Sequence, residues 1–158
     1  MKMETALAKK TGDVFTKAKR SEMMSRIRSR GNRDTELALA RLLRANHITG
    51  WRRHLEIRKA ESGKQKFKVR PDFVFRQVRL ALFVDGCFWH GCPRHATWPA
   101  HRAAWWRRKI EGNKKRDRLV NRTLRRAGWR VIRIWECALA KHPETCVRRI
   151  RAGKLPGN

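Results

Sequence analysis

The sequence predicts an α/β domain, a small mixed sheet flanked by helices. Two observations carry that expectation. Apolar runs with strand character occur at 71–75, 79–86 and 129–135, and longer segments around them repeat apolar residues at helical spacing. The order helix, strands, helix, strand, helix in 158 residues suits a single hydrophobic core.

Residues 1–20 are polar with weak periodicity, and a mobile basic arm is expected there, ahead of a single domain over 21–158. "SEMMSRIRSR" opens on Ser21, an N-cap residue, and reads as a short helix with Met23, Met24 and Ile27 on one side. After the break "GNR", the stretch "DTELALARLLRANHI" places Leu37, Ala40, Leu42, Leu43 and Ile48 at helical spacing, with Asp34 or Thr35 as its cap. "WRRHLEI" alternates like a strand, and "RKAESGKQKFK" reads as an exposed loop. "PDFVF" and "RLALFVDG", joined by the polar turn "RQV", form a β-hairpin with Phe73, Phe75, Leu80, Leu82 and Val84 among its apolar positions. Pro99 is placed to start a long helix running to Ala127, with Gly112 as a weak point and Gly128 as its stop. "WRVIRIW" is the third strand and "ETCVRRIRAG" the closing helix.

Lys and Arg total 41 against 13 Asp and Glu, a formal charge of +28. So self-repelling a surface points to a polyanionic partner. The cations are spread through the apolar pattern rather than gathered in a tail, which fits a folded nucleic-acid surface. A membrane span is not expected, since no run reaches about 18 apolar residues. The amino terminus lacks a signal-peptide core, so a cytoplasmic location is expected. In a reducing compartment the four cysteines point to metal ligation, core packing or catalysis rather than disulfides.

"VDGCFWHGCPRH" concentrates the chemistry. Cys87, Cys92 and His95 stand as C-x4-C-x2-H, three ligands in nine positions, and a closed tetrahedral zinc site needs a fourth. Cys137, just past the third strand, is the best candidate, while Cys146 reads as a core thiol. Gly86, Gly91 and Pro93 make this stretch an irregular loop with little apolar packing, which a metal would stabilise. Asp72 opens one hairpin strand and Asp85 ends the other, so the two carboxylates are expected side by side. That arrangement suits Mg²⁺ at a phosphodiester, although Asp72 pairing with Arg70 reads equally well. Glu36 is a third carboxylate, whose ordinary role would be to complement the helix dipole. His90 can handle a proton beside these carboxylates, or replace His95 as a zinc ligand.

"RPDFVF", "FVDGCFWHGC" and "GWRVIRIWECAL" together resemble the very short patch repair (Vsr) endonucleases, and "MSRIRSR" with "TELALARLL" resembles their amino-terminal helices. The resemblance runs in order from about Met23 to Leu139. It implies a restriction-endonuclease-like fold with a structural zinc, and Mg²⁺-dependent nicking of double-stranded DNA 5′ of the thymine in a T·G mismatch. By this likeness Asp72 is the metal-binding aspartate, with the backbone carbonyl of Val84 as a second metal contact. His90 activates the attacking water and Glu36 supports that network. Phe88 and Trp89 enter the duplex at the mismatch, Met24 enters from the opposite groove, and Trp105 or Trp106 supplies a third aromatic. Cys87, Cys92, His95 and Cys137 fall at or near the zinc positions. Asp85 stands where the best-known members carry a second histidine, so it joins the catalytic set with its role open. The resemblance implies a monomer acting on mismatched DNA, with mismatch-repair proteins as candidate partners. Two other readings stand beside it: a related nuclease of different specificity, and a DNA-binding module without catalysis.

Overall fold

The structure, a computed structural model, describes residues 35–59, 67–96, 100 and 102–155. The arm expected over 1–20, the short helix after it, Met24 and Pro99 lie outside the described residues. Helix α1 (Glu36–Ala45) leads into strands β1 (Trp51–Arg53), β2 (Ile57–Lys59), β3 (Phe67–Val69), β4 (Phe73–Phe75) and β5 (Leu80–Asp85). Helix α2 (Ala103–Arg126), strand β6 (Arg130–Trp135) and helices α3 (Glu136–Lys141) and α4 (Pro143–Lys154) complete the chain. The main sheet runs β1-β4-β5-β6, and β2 pairs with β3 in a separate ribbon. Pairing is antiparallel for β1–β4 and β4–β5 but parallel for β5–β6, so the sheet is mixed.

Alternation along the strands sorts two cores. Phe73, Phe75, Leu80, Leu82 and Ile134 face Leu39 and Leu43 of α1 and Val147 and Ile150 of α4. On the opposite face Val74 and Ala81 meet Leu124 of α2, with Phe83, Val120 and Val131 packed around them. The sheet therefore lies between α1 and α4 on one side and α2 on the other. Contact with α4 is close: a Cβ on Gly153 would lie 2.6 Å from the Ile132 side chain. Among the described residues no helix is long and apolar enough to cross a membrane.

The structure departs from the sequence expectation in five places. The strand expected over 51–57 breaks at His54, whose φ is +52°. Its partner β4 begins at Phe73; one further cross-strand bond, from the His54 N–H to the Asp72 carbonyl at 3.2 Å, comes before Pro71, which has no N–H to extend the ladder. Part of the expected loop at 58–68 is instead the β2–β3 ribbon, because Ile57, Phe67 and Val69 find apolar cover on the α2 side. Helix α2 starts at Ala103 and runs through Gly112 unbroken. Burial of Ile110 and Leu124 on either side outweighs the roughly 1 kcal/mol that one helical glycine costs. A short helix, α3, fills the segment between the last strand and the closing helix. Thr35 stands at the α1 N-cap without a side-chain capping bond.

Phe73 is fully buried and meets Trp51 edge-on with ring centroids 5.3 Å apart. Phe73→Ala should cost about 3–5 kcal/mol, measured as a lower urea midpoint with the slope of the transition unchanged.

Candidate active site and metal centre

Because β5 and β6 run parallel, the loop after Asp85 and the helix after Trp135 leave the same edge of the sheet. The loop turns tightly: the N–H of His90 donates to the Gly86 carbonyl at 3.1 Å and that of Cys92 to the Cys87 carbonyl at 2.8 Å. Gly91 adopts φ +63°, and a Cβ there would lie 2.5 Å from Lys114 and 2.9 Å from Ile110, so the loop is pressed onto α2. Asn113 of α2 donates to the Trp89 carbonyl at 2.9 Å, and the Cys87 N–H donates to Glu136 at 2.9 Å.

Cys87, Cys92, His95 and Cys137 are brought together, with their ligand atoms within 4.8 Å of one another. Cys92 Sγ lies 3.8 Å from His95 Nδ1 and 3.9 Å from Cys137 Sγ. A tetrahedral ion with metal–sulfur bonds of about 2.3 Å requires edges of roughly 3.8 Å, so the donor set and its spacing fit such an ion. Burial pushes the Cys87 thiol up to about 12. At Cys92 burial is outweighed by the backbone N–H groups of Arg94 and His95 and by the His95 ring, which bring the thiol down to about 6. Cys146, buried in the core, is outside this cluster.

A second group gathers Glu36, His54 and Asp72, again within 4.8 Å. The bend at His54 that ends β1 turns its ring toward Glu36, with Nε2 3.1 Å from Oε2. Arg53 donates to the same oxygen at 2.7 Å. Asp72 accepts the Val84 N–H at 2.8 Å. The N–H and C=O of one strand residue share an edge, so the Val84 carbonyl faces the Asp72 side as well. Two carboxylates, an imidazole and a carbonyl make a site suited to a divalent cation. Asp85 lies outside this group, its two oxygens bound by Arg133 Nε at 2.6 Å and Nη2 at 2.7 Å.

His90 leans on α2, its Nδ1 2.6 Å from Asp117 Oδ2 and 3.6 Å from Asp85 Oδ1. Burial alone raises the Asp117 carboxyl, but the His90 hydrogen bond and the Arg133 charge prevail and hold it below the usual range. Phe88, Trp89 and Trp106 form a partly buried aromatic cluster with centroids 5.1–5.8 Å apart, and half-exposed Trp105 packs on Trp106 at 4.7 Å. Along α2 the cations Arg107, Arg108, Lys109, Lys115, Arg116, Arg118 and Arg122 are exposed.

Sequence reasoning passed over His54, Asp117 and Arg133. Asp117 carried a usable signal, for it lies seven residues from both Ile110 and Leu124, the two buried positions of α2. Seven residues is nearly two full turns, so an acid there must face the sheet. Arg133 had one too, as the lone charge between Val131 and Trp135 in an apolar strand. His54 had none, because its position depends on the bend that ends β1.

Burial raises the Asp72 carboxyl to about 6, with the charges of Glu36 and Asp85 adding to it against the Val84 N–H and Arg133. The folded state then keeps its proton at pH values where the unfolded chain has lost it. Stability of protein stripped of divalent metal should therefore fall as pH rises from about 4 to 6, by on the order of 2–3 kcal/mol. Urea melts in chelator at pH 5 and pH 7.5 check this: Asp72→Asn should lose the pH dependence and be the more stable protein at pH 7.5.

Comparison with known proteins places this architecture. The DNA mismatch endonuclease Vsr family matches residues 12–95, more than half of the chain. DNA mismatch endonuclease Vsr of Escherichia coli K12 is 39% identical over 131 residues, 80% of this chain and 75% of that protein. The type II nicking enzyme V.XorIIP of Xanthomonas oryzae pv. oryzae is 39% identical over 130 residues, 81% of this chain and 87% of that protein. The type II nicking enzyme V.NaeI of Lentzea aerocolonigenes is 51% identical over a shorter stretch, 69 residues or 44% of this chain, which spans 42% of its length. This chain belongs to the DNA mismatch endonuclease Vsr family and is a DNA endonuclease on a restriction-endonuclease-like fold.

Proposed function

We propose that the chain nicks one strand of double-stranded DNA on the 5′ side of the thymine in a T·G mismatch, such as 5-methylcytosine deamination produces. The observation that supports this most directly is the loop 86–96. It carries an aromatic pair, a histidine oriented by Asp117 and two of the three thiols of the candidate metal cluster on one turn. Unstacking a base step costs a few kcal/mol, least at a mismatch, and stacking on Phe88, Trp89 and Trp106 offsets it. Recognition then rests on the local weakness of the duplex.

Asp72 and the Val84 carbonyl would hold Mg²⁺, with Glu36 and His54 beside it. The ion, when bound, neutralises charge on the phosphate and supplies an ordered water. The remaining work belongs to side chains. With Nδ1 bonded to Asp117, His90 presents Nε2 to take the proton of the attacking water. The exposed cations of α2 hold the phosphate backbone. Zinc on Cys87, Cys92, His95 and Cys137 would fix the loop and do no chemistry. We place the nuclease unit over residues 21–158 behind a basic arm at 1–20, acting as a cytoplasmic monomer with mismatch-repair proteins as partners. The type II nicking enzymes among its relatives favour a second reading, a related nickase of different specificity.

Labelled duplexes carrying T·G, T·A or C·G at one position, incubated with and without Mg²⁺, test the proposal. A nick confined to T·G and dependent on the ion is expected. Cutting of every duplex would favour a nuclease of other specificity, and salt-dependent binding without cutting a module that has lost catalysis. Asp72→Ala should lower nicking by roughly 10³-fold while DNA affinity survives; undiminished cutting would remove Asp72 from the metal site. Purified protein should carry stoichiometric zinc, and Cys137→Ser should lose both the zinc and the protease resistance of the loop.

A further inference from the structure

We propose that Arg133 is a positioning residue for His90. It binds both oxygens of Asp85, so that Asp85 cannot draw the imidazole away from Asp117. The inference rests on the reading of His90 as the group that handles the proton.

The geometry gives each donor and acceptor one place. Arg133 presents Nε and Nη2 to the two oxygens of Asp85 at 2.6 and 2.7 Å, a two-pronged contact that a planar guanidinium makes and an ammonium does not. Nη2 also reaches Asp117 Oδ1 at 3.0 Å, and Nη1 reaches Asn121 Oδ1 at 3.3 Å. The guanidinium lies 4.7 Å from the centroid of Phe83, which fixes its plane. Asp117 thus divides its carboxylate, Oδ1 to Arg133 and Oδ2 to His90 at 2.6 Å.

His90 Nδ1 has two anionic neighbours, Asp117 at 2.6 Å and Asp85 at 3.6 Å. They lie on different elements, α2 and the end of β5. A ring that shared its N–H between them would swing, and its Nε2 would swing with it. Arg133 removes that ambiguity by engaging both oxygens of Asp85 and by pinning the far oxygen of Asp117. The side chains of Asp85, Asp117 and Arg133 are 5%, 17% and 19% exposed, so water competes poorly for these bonds. Asp85 then acts as the counter-anion that secures Arg133, without handling a proton itself.

The test uses the full-length protein and two readouts. One is the His90 imidazole N–H signal by ¹⁵N-resolved NMR without DNA; the other is single-turnover nicking of a T·G duplex with Mg²⁺ at saturating protein. Arg133→Gln should broaden or lose the His90 Nδ1–H signal and slow nicking by roughly 10²-fold, with DNA affinity little changed. Adding Asp117→Asn to Arg133→Gln should slow nicking by no more than about twofold beyond Asp117→Asn alone, since both act through one contact. Arg133→Gln combined with Asp85→Asn should regain at least about tenfold over Arg133→Gln, because the competing charge is gone; a merely structural role for Arg133 predicts a further loss. A wild-type rate or an unchanged His90 signal in Arg133→Gln would overturn the inference, as would losses that multiply with Asp117→Asn. Should Arg133→Gln fail to fold, Arg133→Lys keeps the charge but not the fork and should lose the His90 signal while its melting temperature holds. If wild-type protein cuts no duplex, the proposed function fails, and the His90 signal still decides the role of Arg133.

Discussion

The parallel pairing of β5 with β6, in register from Leu80↔Arg130 to Asp85↔Trp135, is the constraint on which the site depends. Parallel strands end at the same edge, so the two segments that follow them are neighbours without further design. Cys87 comes two residues after Asp85 and Cys137 two residues after Trp135, which is why distant thiols share one cluster. Glu136, the first residue past β6, accepts the Cys87 N–H and locks the two exits together. The same register puts Phe83 opposite Arg133, and Asp85 lies two residues on, on the same face of the sheet. A slip of β6 by one residue would turn Arg133 toward the apolar core in place of Ile134 and separate it from Asp85.

Electrostatics divides the molecule into two regimes. Outside, exposed Lys and Arg repel one another until a polyanion is bound. At the sheet edge four of the 13 acids, Glu36, Asp72, Asp85 and Asp117, concentrate in a small volume. Asp85 and Asp117 are matched there by Arg133, and Glu36 by Arg53. Asp72 is different, because its partner is the neutral N–H of Val84 and burial raises its carboxyl to about 6. A buried carboxyl whose charge is poorly compensated is where a cation gains most.

The loop 86–96 shows how little chain is needed once its ends are held. Glu136, Asn113 and the close fit of Gly91 on α2 restrain it from three directions, and the thiol cluster closes it on itself. Phe88 packs edge-on against Trp106 and Trp89 meets it at a tilt, so the aromatics form one block joined to the cationic helix. In the proposed function such a block would enter a weakened duplex while His90, the next residue along, keeps its place relative to the phosphate.

Much of this was legible in the sequence because it depends on local periodicity. The hairpin of β4 and β5, the long cationic helix and β6 follow from period-two and period-3.6 patterns that need no knowledge of neighbours. Spacing also marked Cys87, Cys92 and His95, strand ends marked Asp72 and Asp85, and Glu36 and His90 stood beside them, with the resemblance assigning roles to Asp72, Glu36 and His90. The ribbon of β2 and β3 was not legible, since its residues pair only when Ile57 and Phe67 find cover against a second face of the sheet. His54 joins Glu36 and Asp72 through a backbone bend forced by the start of β4. The partner of Asp85 depended on strand register, and that of His90 on which face α2 turns to the sheet. By itself the sequence determined the kinds of element, the cationic surface and the supply of ligands, all set within a few residues of chain. Tertiary structure alone decided which acid meets which cation, because those pairings join segments 16 to 48 residues apart that packing alone brings within bonding distance.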